Sequence, residues 1–280
     1  MLEMSHLIGP SGRRRLLALG AIAVLAFLPL AGVFAYQYQE PTVPDQAFEQ
    51  RWNDQIADGI VVGKLIRLNT RKREFFAIHS PAETNPQRRA VLMLHGMRGH
   101  PNWQSVIGPL RRALPERGWS TLSLQMPVLG IDTGMRDHSM LLNFSPARIN
   151  AGIAYLQQQG YEHIVIAGWG LGAAMAISYL VENPQAPIEG LVGIAMYQLN
   201  YTDPRMWIVD TLRHLRLPIY DIYGSKDRYG SHRSAKGRRK AGELAANAQY
   251  RQMKIDDADH DFNGKESLLI DNVANWLDQQ

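Results

Sequence analysis

Between His163 and Ser178 the chain reads His-Ile-Val-Ile-Ala-Gly-Trp-Gly-Leu-Gly-Ala-Ala-Met-Ala-Ile-Ser, and glycines alternate at 168, 170 and 172. A continuous apolar run, Ile164 to Ala167, meets the glycines and is followed by an apolar segment of helical period, the pattern of a buried strand turning sharply into a helix. One chemistry for such a turn is phosphate binding, since Gly168-x-Gly170-x-x-Ala173 fits the dinucleotide fingerprint, whose glycines admit a pyrophosphate at a helix N-terminus. That fingerprint expects an early βαβ unit and an acidic residue at the end of the next strand. Here the turn lies mid-chain and the next strand candidate, Leu191 to Met196, runs into Tyr197. No nucleotide or other cofactor is expected. A glycine-rich turn that only packs a helix on a strand fits the same residues.

Other residues with chemical capacity give weaker signals. His100, Asp132, Asp137 and His138 fall in loops, but no ligand spacing such as His-x-x-x-His joins them, so no metal site is expected. With no cysteine, disulfides and structural thiolate sites are excluded. Lys226, Arg228, Arg233, Lys236, Arg238, Arg239 and Lys240 place seven positive charges in fifteen residues. Such a run is either a solvated helix face or a contact for an anionic lipid or glycan.

The elements that must position these residues alternate. Phe48, Trp52 and Ile56 mark a short amphipathic helix; Ile60 to Leu68 and Arg73 to His79 form a hairpin about Asn69-Thr70. Strands are then expected at 89–94, 119–125, 164–167, 191–196, 219–223 and 250–255. Helices are expected at 103–117, 145–159, 171–182, 204–215, 235–246 and 265–277. Such alternation after a hairpin implies an α/β fold with a mostly parallel sheet and helices on both faces. Only about twenty residues separate Tyr197 from Leu217, too few for a large lid domain, so any cleft should be open and shallow.

Residues 60 to 280 resemble the α/β-hydrolase superfamily, whose nucleophile elbow is Gly-x-Ser-x-Gly on a strand-turn-helix. On that resemblance Gly168 and Gly172 are the flanking glycines and Gly170 stands at the nucleophile position. The same resemblance makes the backbone N–H groups of Met97, after the strand end His95-Gly96, and of Leu171 the oxyanion donors. It also makes Asp227 the acid and His260, in Asp259-His260-Asp261, the histidine of a remnant triad. The stretch from His95 to Pro127 is similar to an uncharacterised bacterial envelope family of hydrolase-like proteins. Without a serine, the triad cannot form an acyl-enzyme. The implied function is binding of a small ligand or an envelope protein; the alternative is ester or amide hydrolysis through water or an unrecognised nucleophile, with His260 as base. Ser139, Ser145, Ser225 and Ser231 lie in loops without elbow sequence. His260 and Asp227 also fit a structural pair tying two loops, and Trp169 is expected to fill space.

At the N-terminus Arg13 to Arg15 precede an apolar run, Leu16 to Leu30, and Val33 and Ala35 fit the small-residue positions of a cleavage site. Residues 1–35 therefore read as a signal peptide or as an uncleaved anchor over 16–35, and both place the remainder in the periplasm or otherwise outside the cytoplasm. Residues 36–59 read as a linker with the short helix, and 60–280 as the hydrolase-like domain. The whole chain is formally +4; without residues 1–35 it keeps 27 basic and 25 acidic residues, a balance of +2. That balance gives nucleic-acid binding no support.

Overall fold

The computed structural model describes residues 43–280 apart from 86 and 200–202, so the expected signal or anchor at 1–35 lies outside the described residues. Its sheet exists because strands three and five are apolar on both faces. In β3 (Arg89–Leu94) Leu92 and Leu94 face one core while Val91 and Met93 face another; in β5 (His163–Trp169) Ile164 and Ile166 share the first face and Val165 and Ala167 the second. A strand buried on both sides must be covered by helices on both sides.

The remaining strands are β1 (Lys64–Asn69), β2 (Glu74–Ser80), β4 (Ser120–Leu124), β6 (Gly190–Ile194), β7 (Ile219–Gly224) and β8 (Tyr250–Ile255). They assemble in the order β1-β2-β4-β3-β5-β6-β7-β8. β2 pairs antiparallel with β1 and β4, and every other pairing is parallel. One face carries Ile107 and Leu110 of α2 (Ile107–Ala113) with Leu269 and Val273 of α7 (Glu266–Leu277). The other carries α3 (Ser145–Gln158), α4 (Leu171–Glu182), the short α5 (Ile208–Thr211) and Ala241 of α6 (Ser231–Leu244). This is the α/β-hydrolase sheet, with no lid domain among the described residues. None of the described helices is long and apolar enough to cross a membrane.

The first hairpin strand starts at Lys64, four residues after the expected Ile60, and three expected helices differ. The helix expected at 103–117 is α only over Ile107–Ala113, because Gly108 N–H turns back to the Trp103 carbonyl and Pro115, which has no N–H, opens a 3₁₀ turn at Leu114–Arg117. The helix expected at 204–215 is broken at Trp207 (ψ 73°) into 3₁₀ turns around α5, with the Gln198 side chain accepting from Val209 N–H. The basic helix begins at Ser231, four residues earlier than its apolar period indicates.

Helix α1 (Gln46–Ile56) is capped by Asp45, whose carboxylate accepts from Phe48 N–H at 2.9 Å. It is tied to the sheet by a buried ion pair in which Arg148 of α3 donates both to Glu49 (2.9 Å) and to the Gln125 carbonyl (2.8 Å).

A second buried ion pair corrects the reading of the basic run. Arg238 is fully enclosed: it pairs with Asp221 of β7 at 2.7 Å and donates to the carbonyls of Met196 and Ser231. It therefore belongs to no surface patch. Its helical neighbours Arg239, Lys240, Lys236 and Arg233 remain exposed, while Lys226 pairs with Asp257 and Arg228 reaches Asp261 at 3.5 Å. Removing one partner of a buried pair leaves an uncompensated charge. Arg238→Ala is expected to lose about 3–5 kcal/mol in urea unfolding, against less than about 0.5 kcal/mol for exposed Arg239→Ala; equal losses would contradict this account.

Candidate functional site

The turn from β5 into α4 is built by contacts too close for side chains. A Cβ on Gly172 would stand 2.2 Å from the Leu94 carbonyl oxygen, and one on Gly168 would stand 2.6 Å from the backbone of Ala173. These glycines let helix α4 press directly on the ends of β3 and β5, which accounts for the alternation without any phosphate. Gly170, at the apex, has φ 55° and ψ −113°, and its N–H donates to the Ile194 carbonyl of the neighbouring strand at 2.9 Å. The positive φ favours glycine. In the direction its missing side chain would take, the nearest atom is His260 Nε2, 3.2 Å from an added Cβ.

His260 and Asp227 arrive on the loops that follow β8 and β7. Those loops are stitched together by Lys226 N–H to the Ala258 carbonyl (2.9 Å) and Ser225 N–H to the Ile255 carbonyl (3.0 Å). The Asp227 carboxylate accepts from His260 Nδ1 (2.8 Å), Ser231 Oγ (2.6 Å) and Tyr229 N–H (2.7 Å). Burial pushes the carboxyl up, but these donors outweigh it and hold Asp227 below the usual carboxylate range. With Nδ1 turned to Asp227, the ring presents Nε2 toward Gly170. Tyr229 stands edge-on to the imidazole at 4.5 Å between centroids, Trp169 lies tilted at 5.4 Å and Tyr197 at 6.0 Å.

The opposite wall hangs from His95. Its Nε2 accepts from Met126 N–H (2.9 Å), so Nδ1 carries the proton and donates to the Gly96 carbonyl (2.8 Å). Complete burial lowers its pKa to about 3. A neutral histidine thus pins the β3 loop onto the end of β4, and Met97 follows it. Trp169 donates from Nε1 to the His260 carbonyl (3.1 Å), stacks on Trp103, and packs so tightly on Gly96 that a Cβ there would lie 2.8 Å from its ring. At 4% exposure it fills space.

Met97, Leu171, Tyr197, Arg228, Tyr229 and His260 enclose most of an open cleft of about 230 Å³. Among the described residues neither Met97 N–H nor Leu171 N–H is donated to a protein acceptor. The other candidates have local partners. Buried His100 packs between the tilted ring of Trp52 and the edge-on ring of Trp103, and desolvation lowers its pKa to about 4. Asp137 accepts from Gly134 N–H and His138 bonds to the Gly134 carbonyl, both within their own loop, while Asp132 is exposed. Ser139 and Ser145 donate to backbone carbonyls three residues back, and Ser225 accepts from Asp257 N–H. Only Ser231 reaches the His260 pair, and it does so through Asp227.

Sequence reasoning missed Tyr197, Tyr229 and the Ser231 donor. The available signal was position: each follows a parallel strand at the sheet's carboxyl edge, where an open α/β sheet places its ligands.

The chain matches the family of proteins of unknown function DUF3530 over residues 63–139 and 132–279. It belongs to that family. Among curated proteins none matches. Solved structures share the fold of this DUF3530 member at 15% identity. A lidless α/β serine hydrolase from Xanthomonas campestris has a TM-score of 0.60 over 79% of this chain and 95% of its own. A Pyrococcus furiosus esterase scores 0.61 over 78% and 92%, and Est1E from Butyrivibrio proteoclasticus 0.58 over 78% and 98%.

The contacts at Gly172 give a sharp expectation. Because the obstructing atoms are backbone, Gly172→Ala should exceed the roughly 1–3 kcal/mol typical of overpacking and leave little soluble folded protein. Circular dichroism and urea titration check it, and near-native stability would refute the packing argument.

Proposed function

We propose that this chain is an exported α/β-hydrolase-fold protein of the bacterial envelope that lacks a serine nucleophile and acts by binding a ligand or partner over the Asp227–His260 pair. The observation that carries the reading is the glycine at 170. An attacking hydroxyl would have to hang from the position 3.2 Å from His260 Nε2, and glycine offers only hydrogen there. Acyl transfer requires an oxygen that attacks the carbonyl while its proton passes to the histidine. Among the described residues no hydroxyl bonds to Nε2, the Ser231 hydroxyl is directed to Asp227, and the chain has no cysteine. Met97 and Leu171 keep the role of oxyanion donors in this reading.

A second reading, hydrolysis by water activated at His260, draws on one observation: Nε2 borders the cleft while Asp227 orients the ring. The Xanthomonas hydrolase and the Pyrococcus esterase support the fold alone, and fold does not choose between the readings.

Wild-type turnover separates them, and Gly170→Ser tests the geometry that both require. The variant should fold, at a cost of about 1–3 kcal/mol for a side chain in a strained turn, with His260 displaced slightly to relieve the 3.2 Å contact. It should gain covalent labelling by a fluorophosphonate, and His260→Ala should abolish that gain. The wild type should neither label nor hydrolyse short-chain esters above a His260→Ala control. Histidine-dependent turnover by the wild type would sink the non-catalytic reading.

The location rests on residues 13 to 35. Fractionation of the tagged protein should find it in the envelope, and glutamates at Arg13, Arg14 and Arg15 should impair its export. Wild-type protein in the cytoplasm would refute this part.

A further inference from the structure

The space above Gly170 is bordered by three polar groups. Leu171 is the first residue of the twelve-residue helix α4, and its N–H is one of those a helix leaves without an intrahelical acceptor. Met97 N–H faces the same absence of a protein acceptor, and both residues line the cleft. The third polar group is His260, whose Nε2 donates once the ring carries a second proton. This ring is only 6% exposed, its Nδ1 is bonded to Asp227, and its Nε2 has no partner among the described residues and adjoins the volume left by the missing side chain. Nε2 opens onto the cleft, so an acceptor supplied there by a ligand replaces water at the ring.

An ester presents one carbonyl oxygen to such an arrangement, enough for the two backbone donors but with nothing charged for the imidazole. An ionised carboxylic acid presents two equivalent oxygens carrying one negative charge, and hydrogen bonds to an ionised group are about twice as strong as neutral ones. We propose that the cleft binds a small carboxylic acid as its anion. One oxygen accepts from Met97 and Leu171 N–H, and the other occupies the volume beside Gly170 and accepts from Nε2 of protonated His260, whose charge Asp227 supports. No covalent bond forms or breaks; a neutral His260 takes its proton from solvent on binding. The proposal rests on the reading that position 170 carries no nucleophile, since a serine hydroxymethyl group would fill the same volume.

The rest of the lining fits an apolar tail on that anion. Tyr197, Tyr229 and Trp103 supply ring surfaces, and Arg228, held over the Tyr229 ring at 4.9 Å, sits at the mouth with Arg98. The acidic groups facing His260 are already engaged: Asp227 by its three donors, Asp261 by Ser105 Oγ and Arg228, and Asp259 by the N–H groups of its own loop. At about 230 Å³ the cleft is smaller than the roughly 300–1,000 Å³ of drug-sized sites, which limits the acid to a small one.

The experiment titrates the intact protein with 3-phenylpropanoate and with 3-phenylpropanamide, following tryptophan fluorescence because Trp103 and Trp169 border the cleft. The acid is expected to bind at least about tenfold more tightly than the amide, a difference of about 1.4 kcal/mol. Because binding carries one proton onto His260, its affinity should rise as pH falls from about 8 to about 6, a range in which the acid stays ionised, while the amide's stays flat. Gly170→Ala, which fills the volume, should weaken the acid at least about tenfold, and His260→Gln should remove the pH dependence. Equal binding of acid and amide, no binding of the acid by folded wild type, or unchanged affinity in folded Gly170→Ala would each overturn the proposal. Where Gly170→Ala does not fold, an unchanged pH dependence in His260→Gln overturns it. Hydrolysis of methyl 3-phenylpropanoate by the wild type would instead overturn the non-catalytic reading, and the acid titration remains separate from it.

Discussion

The site depends on one contact: backbone of helix α4 against backbone of strand β3. The place of a Cβ on Gly172 is filled by the Leu94 carbonyl oxygen, and that of a Cβ on Gly168 by the first turn of α4. Because the helix seats directly on the strand ends, its N-terminus comes to the level of the β3 loop. Met97 and Leu171 can therefore line one cleft although 74 positions separate them in the chain. A similar contact operates at the other end of the site, where a Cβ on Gly224 would lie 2.3 Å from the Ala258 carbonyl oxygen. That approach brings the loops of Asp227 and His260 together.

Around these contacts two buried polar networks hold the walls of the site. Arg238 joins mid-strand Asp221 to the carbonyls of Met196 and Ser231, and Ser231 in turn donates to Asp227. A fully buried cation thus stands one residue away from each of two site features, Tyr197 and the Asp227 hydrogen bonds. His95 performs the equivalent service on the opposite wall as a neutral group, since desolvation prevents it from charging. In a protein interior such networks specify geometry because each unmade bond is costly. The orientation of His260 is then a consequence of the packing around it, maintained whether or not chemistry follows.

This explains how the hydrolase framework persists around a glycine. The elbow strains any residue with a side chain, and glycine at φ 55° relieves that strain while leaving the flanking contacts intact. Nothing in the packing of Asp227, His260 or Trp169 requires a hydroxyl at position 170. The groups that border this small volume are Met97, Leu171 and His260.

The sequence by itself determined the α/β order, because the apolar faces of β3 and β5 and the period of α4 are local patterns. It also determined the turn at Gly168 to Gly172, because only glycine tolerates such approach. Resemblance to the hydrolases singled out Asp227 and His260, and the structure brings those two within 2.8 Å. Tertiary structure alone decided which charges face water. Arg238 and Arg239 are adjacent and chemically identical, yet one is enclosed beside Asp221 and the other lies at the surface, since helix phase relative to β7 is set by packing. The same holds for the rings of Tyr197 and Tyr229, which follow different strands and meet His260 only because parallel strands deliver their carboxyl ends to one edge. Local pattern reports what a residue contacts within a turn or two of chain, and the convergence of distant loops depends on how the sheet closes around them.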